Sequence, residues 1–454
     1  MQLSRAAAVL GILAAGATFG GEVAAAGFAA ARFGGELGGV TSTNPTSLYY
    51  NPAGIGFSTG TSLFADGSVA IRHFSWEHPR SPLDGVDPPG GEGANAGKAE
   101  MTNVFGGPML GASTKLGKLT VGAALTVPFG GRAYFGRNDK FANGPFPFAA
   151  DGIQRWQITE GAVTTIYGTL GIAYRLGALS LGVTGNLVHS SFQNTQAKDI
   201  SGNGTPNTAH EGRDKLDVSG WHGSFGLGAM AEVVPDRLWL SASYQAQPGL
   251  GPMRLKGTVD LWDMNGAKTL PVTFDTALPD IYRVGAAWRP GATVELRLMG
   301  DLTRWSVLQT QCVALEGYAC QVNADGSDAS GGTQQNIRRY WKDTYGVHAS
   351  ASYWLRPEIE LYGGVAFETA ASPDATLRPD LPDADNVAVA LGGRVEIAPR
   401  WLLAGTYTHI QYFDRDNTGK SQLAQPEYPT RWPDGGGKYT QWIGVFNLNV
   451  EKRF

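Results

Sequence analysis

Period-two alternation, repeated in segment after segment, is the feature that most restricts how this chain folds. Val294, Leu296, Leu298 and Leu302 share one phase, while Glu295, Arg297, Asp301 and Thr303 share the other. Val387, Val389, Leu391, Val395 and Ile397 stand opposite Arg394 and Glu396. Leu179, Leu181, Val183 and Leu187 stand opposite Ser180, Thr184 and Asn186. A repeat of two residues is the strand period. A soluble sandwich turns such an apolar face inward, whereas a membrane barrel turns it toward lipid and lines its lumen with the polar face.

Three observations favour the barrel. Trp and Tyr gather near segment ends, at Trp239, Trp288, Trp341, Tyr353-Trp354, Trp401 and Trp442, as in interfacial girdles. Connections alternate in length. Tight turns at Gly117, Gly177, Pro235-Asp236-Arg237, Pro290-Gly291 and Pro399-Arg400 suit the periplasmic side. Polar stretches at 75–100, 195–216, 311–337, 370–386 and 414–438 suit the outside. The last segment carries Trp442, Phe446, Leu448, Val450 and Phe454 in one phase. An aromatic there is what the barrel assembly machinery reads in a final strand. Charged residues make up only 17% of the chain, below the roughly 25% of soluble domains, and its 63 glycines fit tight turns and close strand contacts. Strands are expected at 60–74, 100–115, 119–137, 155–175, 179–197, 217–234, 238–262, 273–289, 293–310, 338–356, 359–370, 387–398, 401–413 and 439–454, about 14 in all.

The first 26 residues read as an export signal: Arg5, an apolar run from Ala6 to Phe19, then Ala24-Ala25-Ala26 before Gly27. Export makes a disulfide between Cys312 and Cys320 the simplest reading of the two cysteines. The net charge of −4 and the lack of a basic tract exclude nucleic acid as a partner. The seven histidines show no metal-ligand spacing, and no cofactor is expected. Residues 27–59 are rich in Gly and Ala with weak periodicity, which suits a hatch inside the lumen; residues 60–454 then form the barrel.

The run Ser47-Leu48-Tyr49-Tyr50-Asn51-Pro52-Ala53-Gly54 resembles the FadL/TodX family of outer-membrane transporters of long-chain fatty acids and aromatic hydrocarbons. Similar pieces follow in order: Val127-Pro128-Phe129-Gly130, Leu278-Pro279-Asp280, Asp301 with Trp305-Ser306, Trp341-Lys342-Asp343-Thr344, Phe367-Glu368-Thr369, Leu381-Pro382-Asp383, and Tyr407 with His409. Asn386 stands where the family often has Arg, so the Asp383/Asp385 loop departs from the pattern. The resemblance implies an all-β transmembrane fold, an antiparallel outer-membrane barrel of 14 strands plugged by a small N-terminal hatch. It also implies passive transport with sideways release, through a wall opening at a kinked third strand, here Leu119–Arg137. Pro128 removes a ladder donor and Gly130-Gly131 permit a bend. Asn51, Pro52, Ala53 and Gly54 are the candidate gate, against an ordinary Asn-Pro turn. Pro128, Phe129, Gly130 and Gly131 are the candidate kink. Phe28, Phe33, Tyr49, Tyr50 and Phe57 either line a ligand pocket or pack the hatch. The expected partners are a hydrophobic small molecule, outer-membrane lipid and lipopolysaccharide, and the assembly machinery, with the chain acting as a monomer.

Other readings are weaker. Arg155, Arg297 and Arg394 meet a substrate carboxylate or form lumen networks with Glu295, Asp301 and Glu396. GGEGANAGK at 90–98 fails as a phosphate loop, because its first Gly is misplaced and Ala99 replaces Ser/Thr. A lipase-type barrel would need a pair such as His189 with Ser190 or Ser191, and no G-x-S-x-G motif supports it. A structural or surface-recognition barrel, with a hatch that never opens, is the remaining alternative.

Overall fold

The computed structural model describes residues 32–81, 84, 87–200, 207–263, 266–323, 329–421 and 433–454. Fourteen antiparallel strands form the wall: β1 (Thr61–His78), β2 (Gly97–Leu116), β3 (Leu119–Tyr134), β4 (Glu160–Leu176), β5 (Leu179–Asp199), β6 (Glu211–Val234), β7 (Leu238–Gln245), β8 (Ile281–Trp288), β9 (Val294–Thr303), β10 (Thr344–Arg356), β11 (Ile359–Glu368), β12 (Asn386–Ala398), β13 (Trp401–Tyr412) and β14 (Lys438–Arg453). Each pairs with its neighbour in this order, and β1 closes the ring on β14 from Ser62↔Arg453 to Glu77↔Lys438. Closure removes both sheet edges, as a sheet in lipid requires.

The alternation sorts the wall into two faces. Leu391 and Leu448 are 69% and 62% exposed on the outside, while Ala390, Thr408 and Asn447 are buried inside. Large apolar residues facing outward over polar residues facing inward is the pattern of a wall in lipid. Turns at one end are tight: Gly117, Gly177, Asp236 and Arg400 all take positive φ. The connections at the other end are long, so this is the extracellular end.

Several boundaries differ from expectation. Residues 238–262 are not one strand. β7 stops at Gln245, a turn at Pro248–Leu250 follows with Gly249 and Leu250 at φ 78° and 53°, and Met253–Asp263 is a separate strand. That strand pairs with the outer half of β6, from Arg213↔Trp262 to Ser219↔Lys256. It begins an extension of four strands, continued by Gly266–Thr276, Thr310–Leu315 and Thr333–Arg338. Residues 273–289 and 293–310 are likewise divided between this extension and the wall. Cys312 and Cys320 are disulfide-bonded at its outer part. β4 begins at Glu160, so Arg155 lies in a 3-10 turn, Ile153–Trp156, of the β3–β4 connection. Trp341 is not a girdle residue; it is buried in the lumen cluster with Phe129, Trp305 and Leu278.

Candidate functional site

The inner segment, residues 32–59, spans the bore at the short-turn end. Its helical turn Ser47–Tyr50 is followed by a 3-10 helix, Pro52–Phe57. Asn51 joins the two. Its Oδ1 accepts from Ala53 N at 3.1 Å and caps the 3-10 helix, whose first turn holds Pro52, a residue with no amide to satisfy. Its Nδ2 donates to Val40 O at 3.0 Å and to Ala229 O of β6 at 3.1 Å. Ser180 of β5 donates to Ala53 O at 2.8 Å, and Ser243 of β7 donates to Tyr50 O at 2.6 Å. Across the ring, Gly34 N donates to Asp66 of β1 at 2.6 Å, and Asn447 of β14 donates to the Arg32 carbonyl at 3.0 Å.

Two wall glycines make this fit feasible. A Cβ at Gly182 would lie 2.4 Å from Ala53 N, and one at Gly228 would lie 2.0 Å from Asn51 Oδ1. Sequence reasoning missed both, because a strand glycine signals a close approach only once the approaching backbone is known.

The candidate aromatic residues divide. Tyr49 and Tyr50 border a cavity of ≈180 Å³ between the inner segment and the β8–β13 wall. The Arg283 guanidinium lies over both rings, 4.9 Å and 5.7 Å from their centroids. Glu36, Asp301, His348 and Glu368 make this cavity polar, with His348 Nε2 3.0 Å from Asp301 Oδ1. Phe33 packs edge-on against Tyr49 in the inner segment's own core, and Phe57 lies under the Arg175 guanidinium at 4.3 Å. Phe28 lies outside the described residues.

The wall is interrupted at β3. β1 and β2 pair along their whole length, from Thr61↔Thr114 to His78↔Gly97. β2 and β3 pair only from Leu116↔Leu119 to Leu110↔Leu125. Beyond Leu125, β3 stays with β4, and the register shifts between Thr126 and Phe129, so Val127 and Pro128 form a bulge. A bulge bends its strand, and Pro128 has no amide to offer a ladder. The strands meet again near their outer ends, where Asn103 Nδ2 donates to Tyr134 O at 3.4 Å and Gly136 N donates to Glu100 O at 3.0 Å. Between these ends lies a gap in the β2–β3 ladder. Gly106, Gly107 and Pro108 face it from β2, and Pro128, Gly130 and Gly131 from β3. The β2 half was missed, because a Gly-Gly-Pro within one strand has meaning only opposite its counterpart.

The bend carries side chains inward. Phe129 is 1% exposed, with its ring 6.2 Å from Trp305 and 6.4 Å from Tyr167. A second cavity of ≈90 Å³ adjoins the bend, bordered by Gly130, Gly131, Val163, Phe192, Leu216 and Phe274.

The arginines singled out are engaged within the protein. Arg297 pairs with Glu295 at 2.6 Å, and Arg394 with Glu360 rather than Glu396. Arg155, fully buried, pairs with Glu211 at 2.9 Å and donates to Asn95 at 3.0 Å. His189 and Ser190 are strand neighbours on opposite faces: the His189 ring lies tilted against Trp221, 4.7 Å between centroids, and Ser190 is buried in the lumen. They form no catalytic pair.

The sequence model of the outer membrane protein transport proteins (OMPP1/FadL/TodX) matches residues 6–428. The chain belongs to this family. The FadL/TodX barrel is thus an outer-membrane transport channel and not an enzyme. Solved structures of the same fold include a Pseudomonas aeruginosa FadL homologue, with a TM-score of 0.75 at 17% identity, covering 96% of this chain and 99% of that one. The P. putida toluene transporter TodX has a TM-score of 0.65 at 14% identity, and the Ralstonia pickettii toluene transporter TbuX 0.63 at 14%; each comparison covers 94% of this chain and 99% of the other. No curated protein matches the chain.

Proposed function

We propose that this FadL/TodX barrel passes hydrophobic small molecules, long-chain fatty acids or aromatic hydrocarbons, from outside the cell into the outer membrane through the window between β2 and β3. The observation that carries this reading is the end of β2–β3 pairing at Leu125 while the ladders on either side continue. A hydrophobic solute inside the barrel is drawn into lipid by about 0.8 kcal/mol per buried CH₂. The polar outer surface is the barrier, and an apolar path to a side window bypasses it without an energy source. Two of the structural relatives are toluene transporters, which favours apolar cargo.

On this reading residues 1–26 address the chain for export and residues 27–59 are a hatch, held by Asn51–Gly54, that keeps the periplasmic end closed to water and polar solutes. Pro128–Gly131 shape the window. Deleting Val127 removes the extra residue of the bulge and lets β3 pair along β2. The expected result is a folded barrel that no longer supports uptake of a radiolabelled fatty acid or toluene in cells lacking their own transporter. Undiminished uptake of both by the folded deletion variant would overturn the route.

A further inference from the structure

We propose that the extracellular rim holds a divalent transition-metal site, of the kind that takes Zn²⁺, formed by His78, Asp84 and Asp434. These residues are 356 positions apart in sequence at the extremes (434 − 78), yet one ligand atom from each lies within 4.8 Å of the others, and all three are buried. His78 ends β1, Asp84 follows it in the β1–β2 connection, and Asp434 precedes β14. The cluster therefore sits above the seam where β1 closes on β14.

Hydrogen bonding decides what the cluster lacks. His78 Nδ1 faces the Gly436 carbonyl, which can only accept, so the ring proton belongs on Nδ1. In the neutral ring Nε2 is then a lone pair, 2.9 Å from Asp84 Oδ1, which is also an acceptor. A positive charge has to stand between them. The Asp84 and Asp434 carboxylates have no arginine or lysine ion pair among the described residues; their other hydrogen bonds come from backbone amides, Ser81 N at 2.7 Å and Gly436 N at 2.8 Å. Two buried carboxylates without a fixed cation are costly, and a divalent ion neutralises both.

The surroundings are those of a held ligand. A ligating histidine usually donates its other N–H to a carbonyl, as His78 does to Gly436. Its ring is stacked on Trp76 at 4.9 Å, which fixes its plane. Gln157, also buried, donates to the Asp434 backbone carbonyl at 2.9 Å, and its Oε1 has no hydrogen-bond partner among the described residues. One imidazole and two carboxylates suit Zn²⁺ and leave a position for water, whereas Ca²⁺ and Mg²⁺ select all-oxygen sites. The ion would staple the β1–β2 and β13–β14 connections across the closing seam.

Chelator-stripped full-length protein in detergent, titrated with ZnCl₂ by calorimetry, tests the site. The expected result is saturable binding of one ion per chain, unaffected in the exposed His210→Ala and weakened by at least about 10-fold in Asp434→Asn and in Asp84→Asn. Heat-modifiable migration on gels identifies variants that have folded, and two independent carboxylate variants guard against one failing. Lack of saturable Zn²⁺ binding in the stripped wild type would show that a proton on Nε2 supplies the charge and would overturn the site. Unchanged Zn²⁺ affinity in both folded carboxylate variants would overturn it as well.

Discussion

The side-chain amide of Asn51 reaches the wall directly, donating to the Ala229 carbonyl of β6 at 3.1 Å while its own oxygen caps the turn at Ala53. One residue thus shapes the inner segment and fastens it. Asn51→Ala removes the cap, at about 0.5–2 kcal/mol, and frees the Val40 and Ala229 carbonyls. The barrel, closed by its own ladders, should still fold. The expected outcome is an inner segment that opens more often, read as a rise in ion conductance across planar bilayers. Conductance equal to wild type would sink the role of Asn51 as a fastener.

Gly228 tests the same contact from the wall side. Its Cβ position lies 2.0 Å from Asn51 Oδ1 and 3.0 Å from Pro52 Cδ, so Gly228→Ala has to displace the inner segment. Gly223, on the same strand, has open space at that position. Gly228→Ala should raise conductance as Asn51→Ala does, and Gly223→Ala should not. Because both changes act on one contact, the double variant Asn51→Ala/Gly228→Ala should show less than the sum of the single effects.

How much of this was legible in the chain depends on where each signal resides. Leu391 beside Ala390, or Leu448 beside Asn447, reports its face within a few residues, so the wall and its strand number could be read locally. Asn51 and Pro128 stand out because their chemistry is local too. The extension sheet was hidden because Met253–Asp263 has the strand period of the wall, and only its pairing with Arg213–Ser219 tells the two apart. Gly182, Gly228 and Gly106-Gly107-Pro108 gain meaning from backbones far away in sequence. So does the grouping of His78 with Asp434.

The outward face makes a separate prediction. Leu391 lies midway along β12 and is 69% exposed. If that face met water, Leu391→Arg would be nearly neutral. In lipid it should cost about 2–4 kcal/mol. Reversible urea unfolding from lipid vesicles measures the difference. Val395→Arg, closer to the periplasmic end of the strand, should cost less, because the penalty falls toward the interface.

The β11–β12 connection should respond to acid. Asp383 accepts from Ala371 N at 2.6 Å and Ser372 N at 2.8 Å. Burial nevertheless pushes its carboxyl up to about 6, partly opposed by those amides and by Arg415, while Asp385 adds to the rise. The folded connection therefore binds this proton more tightly than the unfolded chain. The resulting stabilisation is fully present below the ordinary carboxylate value of 3.8 and is lost as pH rises through about 6. Asp380 acts in the other direction: burial opposes its ionisation, but Arg339 and Arg378 hold it down at about 2, so its stabilisation is lost only as pH falls from 3.8 toward that value. The buried Asp66 and Asp214 lie on β1 and β6, so within this connection the slope between pH 3.8 and about 6 belongs to Asp383. Amide-exchange protection of residues 370–385 should fall as pH rises across that window, after correction for the intrinsic exchange rate. Asp383→Asn keeps an acceptor for both amides and cannot ionise, so it should flatten the profile. A slope unchanged in the variant would assign the titration to another group.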